Sequence, residues 1–298
     1  MGKWIGFAVA AFFALVPASA DSDCRLKLAA SLELQAGATD RVLIPSQLDG
    51  NPLVFAIDTG SPISAISQAA VDRLGMKMQM IRSSSAPYLP YAGGRATRFV
   101  RAKTLQLGTM TAPNVALFVM PADMHGADGL MGADFLAQFD VDFDFANGKV
   151  NLFWPHSCDD KVVYWAKETA VAVLPFHFES NDAHIHFDGK LDGHTIPFIL
   201  DTGAPTTSIG IDMAKSWFNI DENSPGVEDR GHGYYSKRFS ALTLEGISVA
   251  NPLVTIRRQS HSNTSNYEAF LGLNTLKHLH LFVAYKARKL YITEATAK

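Results

Sequence analysis

The 298-residue chain is 47% hydrophobic and 18% charged, long enough for two domains with sizeable cores. Its 29 acidic residues slightly outnumber 26 basic ones, for a formal net charge of -3. That balance argues against the basic stripe of a nucleic-acid binder and leaves no dense Lys/Arg run for an anionic membrane surface. In chain order, Lys3 precedes an apolar block over residues 5–16, and Ala18-Ser19-Ala20 follows with small-x-small spacing. This is the pattern of a secretory signal peptide over residues 1–20, and its apolar block is shorter than the ~20 residues that span a bilayer. It predicts a periplasmic or secreted chain with no stable membrane insertion after cleavage. Cys24 and Cys158 are the only cysteines and both follow this segment. An oxidising compartment makes one disulfide between them the expectation. Two unpaired thiols are the alternative, since compartment does not fix geometry.

Apolar alternation at Leu26/Leu28, Leu32/Leu34 and Val42/Ile44 predicts half-buried strands. Leu48-Asp49-Gly50-Asn51-Pro52 is turn chemistry, so the apolar run after it returns as a hairpin strand and ends on Asp58. Ile66, Ala69, Ala70, Val71 and Leu74 suit a short amphipathic helix stopped by Gly75. Residues 82–97 are rich in Ser, Pro, Gly and Tyr, with Gly93-Gly94 as a hairpin tip. Strands follow at 100–107 and 115–120. Gly129 to Leu136 is a glycine-bounded apolar step into a short helix. Strands at 139–145 and 150–153 are joined by Asn147-Gly148, a strong hairpin signal. Residues 154–170 break the pattern and read as a connector. Strands at 171–178 and 184–191 then lead to a second Leu-Asp-Gly turn at Leu191-Asp192-Gly193 and a second apolar run ending on Asp201. Residues 209–218 are helix-length. Arg230-Gly231-His232-Gly233-Tyr234-Tyr235 takes the place of Gly93-Gly94.

The pattern occurs twice, and repeats of this kind set a fold. With Gly132 placed on Gly272, Leu136 falls on Leu276, Val141 on Leu281, Phe143 on Val283 and Lys149 on Lys289 without a gap. Asp58 and Asp201 lie 143 positions apart (201 − 58), whereas these ends are offset by 140 (272 − 132), a difference of a few loop residues. The prediction is a mostly β chain with one unit at 21–153, a connector at 154–170 and a second unit at 171–298.

Each unit delivers one carboxylate at the end of an apolar run, followed at once by Thr-Gly: Asp58-Thr59-Gly60 and Asp201-Thr202-Gly203. Two carboxylates converging from two copies of one unit are the raw material of an acid–base pair. Together with Leu130-Met131-Gly132 and Phe270-Leu271-Gly272, these motifs resemble the aspartic protease superfamily. The short units resemble two fused retropepsin-like lobes more than a full pepsin, and the resemblance covers nearly all of the chain after residue 20.

The resemblance implies an all-β fold with short helices, two retropepsin-like acid protease lobes related by a pseudo-two-fold axis. It also implies that Asp58 and Asp201 meet at the bottom of a cleft between the lobes. The implied activity is that of an aspartic-type endopeptidase, a hydrolase acting on a peptide or protein substrate with no cofactor and no metal. Thr59 and Thr202 are implied to hydrogen-bond across the axis, and Gly60 and Gly203 to let backbone amides approach the carboxylates. Ser61 is implied to donate to Asp58, a bond Ala204 cannot offer Asp201. Pro62 and Pro205 depart from the Ser or Thr often found there, leaving an outer hydrogen bond absent or taken over by Ser64 and Thr207. Substrate flaps fall at Tyr91, Gly93 and Gly94 and at Gly233 and Tyr234, with ordinary exposed loop aromatics as the bland alternative. One chain supplies both aspartates, so a monomer is expected, with exchange of lobes between chains as the rival. A non-catalytic peptide-binding module that keeps the cleft is the alternative function. His184/His186 and His278/His280 read as structural or surface histidines, because a metal site wants more ligands at fitting spacing. Asp140, Asp142 and Asp144 alternate with Val141, Phe143 and Phe145 as the polar face of a strand.

Overall fold

The structure, a computed structural model, describes residues 26–36, 40–81, 88–89, 94–121, 124, 126–155, 162–166, 170–179, 183–258 and 269–296. Residues 1–20, expected as a signal peptide, and Cys24, Cys158, Tyr91 and Gly93 lie outside the described residues.

Two sheets carry the two Asp strands. In the first, Leu43–Leu48 pairs antiparallel with Asn51–Ile57. Asp49 and Gly50 in the turn between them both have positive φ, 50° and 79°, the conformation that an Asp-Gly hairpin turn adopts most easily. The Asp49 carboxylate then accepts the Thr104 amide at 2.8 Å, seating the turn on the strand Arg98–Leu107. The second sheet repeats the device: His186–Leu191 pairs with His194–Leu200. Asp192 and Gly193 turn at 45° and 84°, and Asp192 accepts the amides of Ser240 and Ala241. The Asp strands are apolar and buried over their last three residues, Phe55–Ile57 and Phe198–Leu200, where both faces are covered. Gly129–Met131 runs parallel to Phe55–Ile57, and Ala269–Leu271 runs parallel to Phe198–Leu200.

The predicted helices form, with shifted starts. Ile66 belongs to the short strand Ala65–Ser67, and the helix is Gln68–Arg73, capped by Ser67 Oγ accepting the Ala70 amide at 3.1 Å. Likewise Ile209 sits in the strand Ser208–Gly210, and the helix Ile211–Phe218 ends on Asn219 at φ 53°. The sheet requirement at these positions overrides the helical spacing. Tyr88–Leu89 pairs with Gly94–Arg95.

A third sheet joins the halves in the order Lys27–Glu33, Lys149–Trp154, Asp140–Asp144, Leu279–Ala284, Lys289–Glu294, Ala172–Pro175. At its centre Val141 faces Val283 and Phe143 faces Leu281, so positions that correspond in the two halves pair reciprocally. The link between Asp140–Asp144 and Lys149–Trp154 turns at Asn147-Gly148, as anticipated, and the two strands pair antiparallel. Asp144 accepts the Asn147 amide and side chain, which curls Phe145–Asn147 into a 3-10 turn that Gly148 closes at φ 63°. On the polar face of Asp140–Asp144, Asp140 and Asp142 are buried, and connector residue Tyr164 donates to Asp142 at 2.6 Å. Among the described residues no helix is long and apolar enough to cross a membrane.

Candidate active site

The two Asp loops are built into one another. Thr59 Oγ1 donates to the Leu200 carbonyl at 2.8 Å and accepts the Thr202 amide at 3.0 Å. Thr202 Oγ1 donates to the Ile57 carbonyl at 2.8 Å and accepts the Thr59 amide at 3.0 Å. Both threonines are essentially fully buried, 1% and 0% exposed. A hydroxyl is needed at each position because only a group that donates and accepts satisfies both neighbours. Gly60 and Gly203 then face the opposite carboxylates. A Cβ on Gly60 would overlap the Asp201 carboxyl group, and one on Gly203 that of Asp58. No other residue type permits this approach.

Asp58 and Asp201 consequently line one cavity of about 730 Å³. Asp58 accepts the Gly60 amide at 3.0 Å, and Asp201 accepts those of Gly203 and Ala204 at 2.9 and 3.0 Å. Behind each loop the apolar-apolar-Gly strand supports the floor: the Gly132 amide donates to Ser64 Oγ and the Gly272 amide to Thr207 Oγ1. Gly132 and Gly272 are needed there because a Cβ would strike the backbone of Ile63 and of Thr206.

Residues 44–138, which contain Asp58-Thr59-Gly60 and Leu130-Met131-Gly132, match the family model described as gag-polyprotein putative aspartyl protease. This match, over about a third of the chain, supports a likeness to the aspartic protease superfamily. No curated protein matches it. The family match supports a peptidase-type activity at a coarse level.

At this floor, the outer contacts differ from those the resemblance implies. Ser61 Oγ does not reach Asp58; it donates to the Ile63 carbonyl at 2.9 Å, because the turn through Pro62 folds the hydroxyl back onto its own loop. The dyad is still asymmetric, through the extra backbone amide that Ala204 gives Asp201. Ser64 and Thr207 do not substitute for the bond lost at Pro62 and Pro205. Ser64 Oγ bonds Asp134 at 2.6 Å and Thr207 Oγ1 bonds Thr275 at 2.7 Å, behind the floor.

Burial disfavours ionisation of both aspartates. It pushes Asp58, with the neighbouring Asp201 charge adding to it, up to about 7. Asp201 is also raised, by burial first, against the pull of its loop amides. Three cations moderate the effect, Arg41, His184 and Arg257, and sequence reasoning missed all three. Arg41 precedes Asp58 by 17 positions (58 − 41), and His184 precedes Asp201 by 17 (201 − 184). Each flanks the Asp strand at the same place: the Ile57 amide bonds the Val42 carbonyl and the Leu200 amide bonds the Ile185 carbonyl. Arg41 lowers Asp58, and His184 lowers both aspartates. A His184 ring nitrogen also lies 2.8 Å from the Gly60 carbonyl oxygen, so this histidine, anticipated as structural or surface, contacts the opposite Asp loop. The repeat spacing was the signal that could have found the pair.

Two residues of a second-half hairpin, Arg230 and Tyr234, line the cavity. Glu228–Gly231 and Tyr234–Arg238 form a hairpin with Gly231, His232 and Gly233 all at positive φ. Gly233 is at its tip. In the first half, Gly94 lies in the short pair with Tyr88–Leu89. Among the described residues no group of three or more His, Cys, Asp or Glu side chains is placed to hold a metal ion.

Proposed function

We propose that the chain is an aspartic endopeptidase that hydrolyses peptide bonds with the Asp58/Asp201 pair. The observation that carries this is the convergence of two buried carboxyls on one cavity over a reciprocally bonded Thr59/Thr202 floor. Two like charges so placed hold one proton between them to near neutral pH. In that state the ionised carboxylate takes a proton from a water molecule whose oxygen attacks the scissile carbonyl carbon. The protonated partner donates its proton to the carbonyl oxygen. The gem-diol collapses as the C–N bond breaks; the nitrogen takes a proton from one carboxyl, the carbonyl re-forms, and a second hydroxyl proton restores the pair. No covalent enzyme intermediate is formed.

One chain supplies both carboxyls, and the reading is of a monomer. The 1–20 pattern supports export to the periplasm or beyond, with the two units 21–153 and 171–298 flanking the connector. Digestion of a mixed peptide library across pH 3–9 tests the reading. Cleavage is expected below about pH 7, falling tenfold per unit once the shared proton is lost. Binding without any product, or a rate that climbs steadily through pH 9, would overturn it.

A further inference from the structure

The two walls of the cavity differ at one corresponding place. Met120 faces Ser67 across a parallel pairing in the first half, and Arg257 faces Gly210 across the matching pairing in the second. Both side chains line the cavity, and both are buried, 7% and 5% exposed. On the Met120 side the lining continues through Met124 and Leu130, an apolar surface. On the other side Arg257 is held rigidly. Its Nε donates to Ser208 Oγ at 3.0 Å and its guanidinium lies 4.7 Å over the Phe270 ring. The charge is felt at Asp201, which it lowers. Arg230, from the second-half hairpin, extends the same wall, its Nε on Ser236 Oγ at 2.7 Å and its far end on the exposed Glu228. Asp58 and Asp201 are the only carboxylates among the described lining residues, and one proton shared between them leaves a single negative charge facing the arginines.

A rigid, buried guanidinium beside reacting groups is suited to a planar carboxylate, which it binds through two parallel N–H bonds. We propose that the second-half wall is a carboxylate subsite built on Arg257 and completed by Arg230. The substrate is then a peptide with an acidic group on one side of the scissile bond and an apolar side chain, received by Met120, Met124 and Leu130, on the other. The inference rests on the peptidase reading above and names the substrate class of that same site. The acidic group is the side chain of Glu or Asp, or the α-carboxylate of a chain end close to the cut.

The test uses the full chain at pH 5–6, where a substrate Glu is ionised. Peptide pairs differing only by Glu against Gln at each position flanking an apolar residue are compared by kcat/KM, each with a free and an amidated C-terminus. The expected Glu-over-Gln ratio at one position is about tenfold to a hundredfold, the worth of a charge-assisted hydrogen bond. Arg257→Gln brings the ratio close to one, Arg257→Lys retains part of it, and Arg230→Gln, at a more exposed site, reduces it a few-fold. Dependence on the free C-terminus instead assigns the same subsite to a terminal carboxylate. Cleavage with a ratio near one, or a preference that survives both Arg→Gln variants, overturns the subsite and leaves the peptidase standing. Absence of all cleavage overturns the peptidase. In that case Glu-selective binding, lost in Arg257→Gln, keeps the subsite as a recognition site, and unselective binding removes it as well.

Discussion

The two halves of this molecule meet over buried acids in two places, and the acids are treated differently. At the joining sheet Asp142 is saturated. It accepts from Tyr164 Oη at 2.6 Å and Asn151 Nδ2 at 2.8 Å and pairs with His280 Nε2 at 2.7 Å. Ser31 holds Asn151, and the His280 ring stacks on Trp165 at 4.0 Å. Burial, reinforced by the Asp142 carboxylate, pushes the Tyr164 phenol up, so it remains a donor. At the cavity floor, Asp58 and Asp201 receive backbone amides of their own loops and face one another. A buried carboxylate given an imidazole and several donors is a structural element; a pair left to share one proton is a reagent.

The largest expected effect separates the two places by chemistry. Asp58→Asn or Asp201→Asn should lower kcat for peptide hydrolysis by about 10⁴-fold or more, because each removes half of a coupled acid–base pair. The same variants should be more stable than wild type at pH 7, on the order of 1 kcal/mol, in denaturant titrations. The sign follows from the raised folded-state value of Asp58. Between the ordinary carboxylate range and about 7 the folded state binds more protons than the unfolded one, so wild-type stability falls as pH rises through that window. The advantage of the Asn variants should therefore grow from pH 4 to pH 7 and level off above it.

Asp142→Ala reverses the outcome. It strands His280, Tyr164 and Asn151 without their shared acceptor and should cost about 3–5 kcal/mol of stability. In folded protein at low temperature kcat should stay within about twofold of wild type. A catalytic loss of the Asp58→Asn size would erase the distinction between the two acid sites. The smallest effect belongs to His184. Its charge lowers both aspartates, so His184→Ala should move the falling limb of the pH–rate profile to higher pH by up to about one unit. No movement, or a downward one, would reduce its 2.8 Å contact with Gly60 to a loop support.

The parts of this arrangement visible in the sequence were those fixed by local spacing. Leu-Asp-Gly before each Asp strand, Thr-Gly after it and Gly132/Gly272 mark positions where backbone conformation or close approach admits few residue types. The contacts across the chain were hidden. Whether Ser61 Oγ turns to Asp58 or to Ile63 depends on a side-chain rotation that no motif encodes. The alternation of Asp140, Asp142 and Asp144 marked a polar face but not its cover, because Tyr164, which donates to Asp142, comes from a stretch read as connector. His184 was discounted because, taken singly, it lies on an ordinary strand. Its match with Arg41 appears only when the two halves are read against each other. Arg257 was invisible for a related reason: its role depends on Met120 occupying the corresponding seat.

The most direct test is to count protons on the pair by carbon-13 NMR of aspartate-labelled protein, titrating wild type against Asp58→Asn and Asp201→Asn. The geometry predicts that the wild-type pair keeps one proton until about pH 7 and that the resonances of the two carboxyls move together. Two carboxyls that both lose their protons independently near pH 4 would contradict a shared-proton dyad.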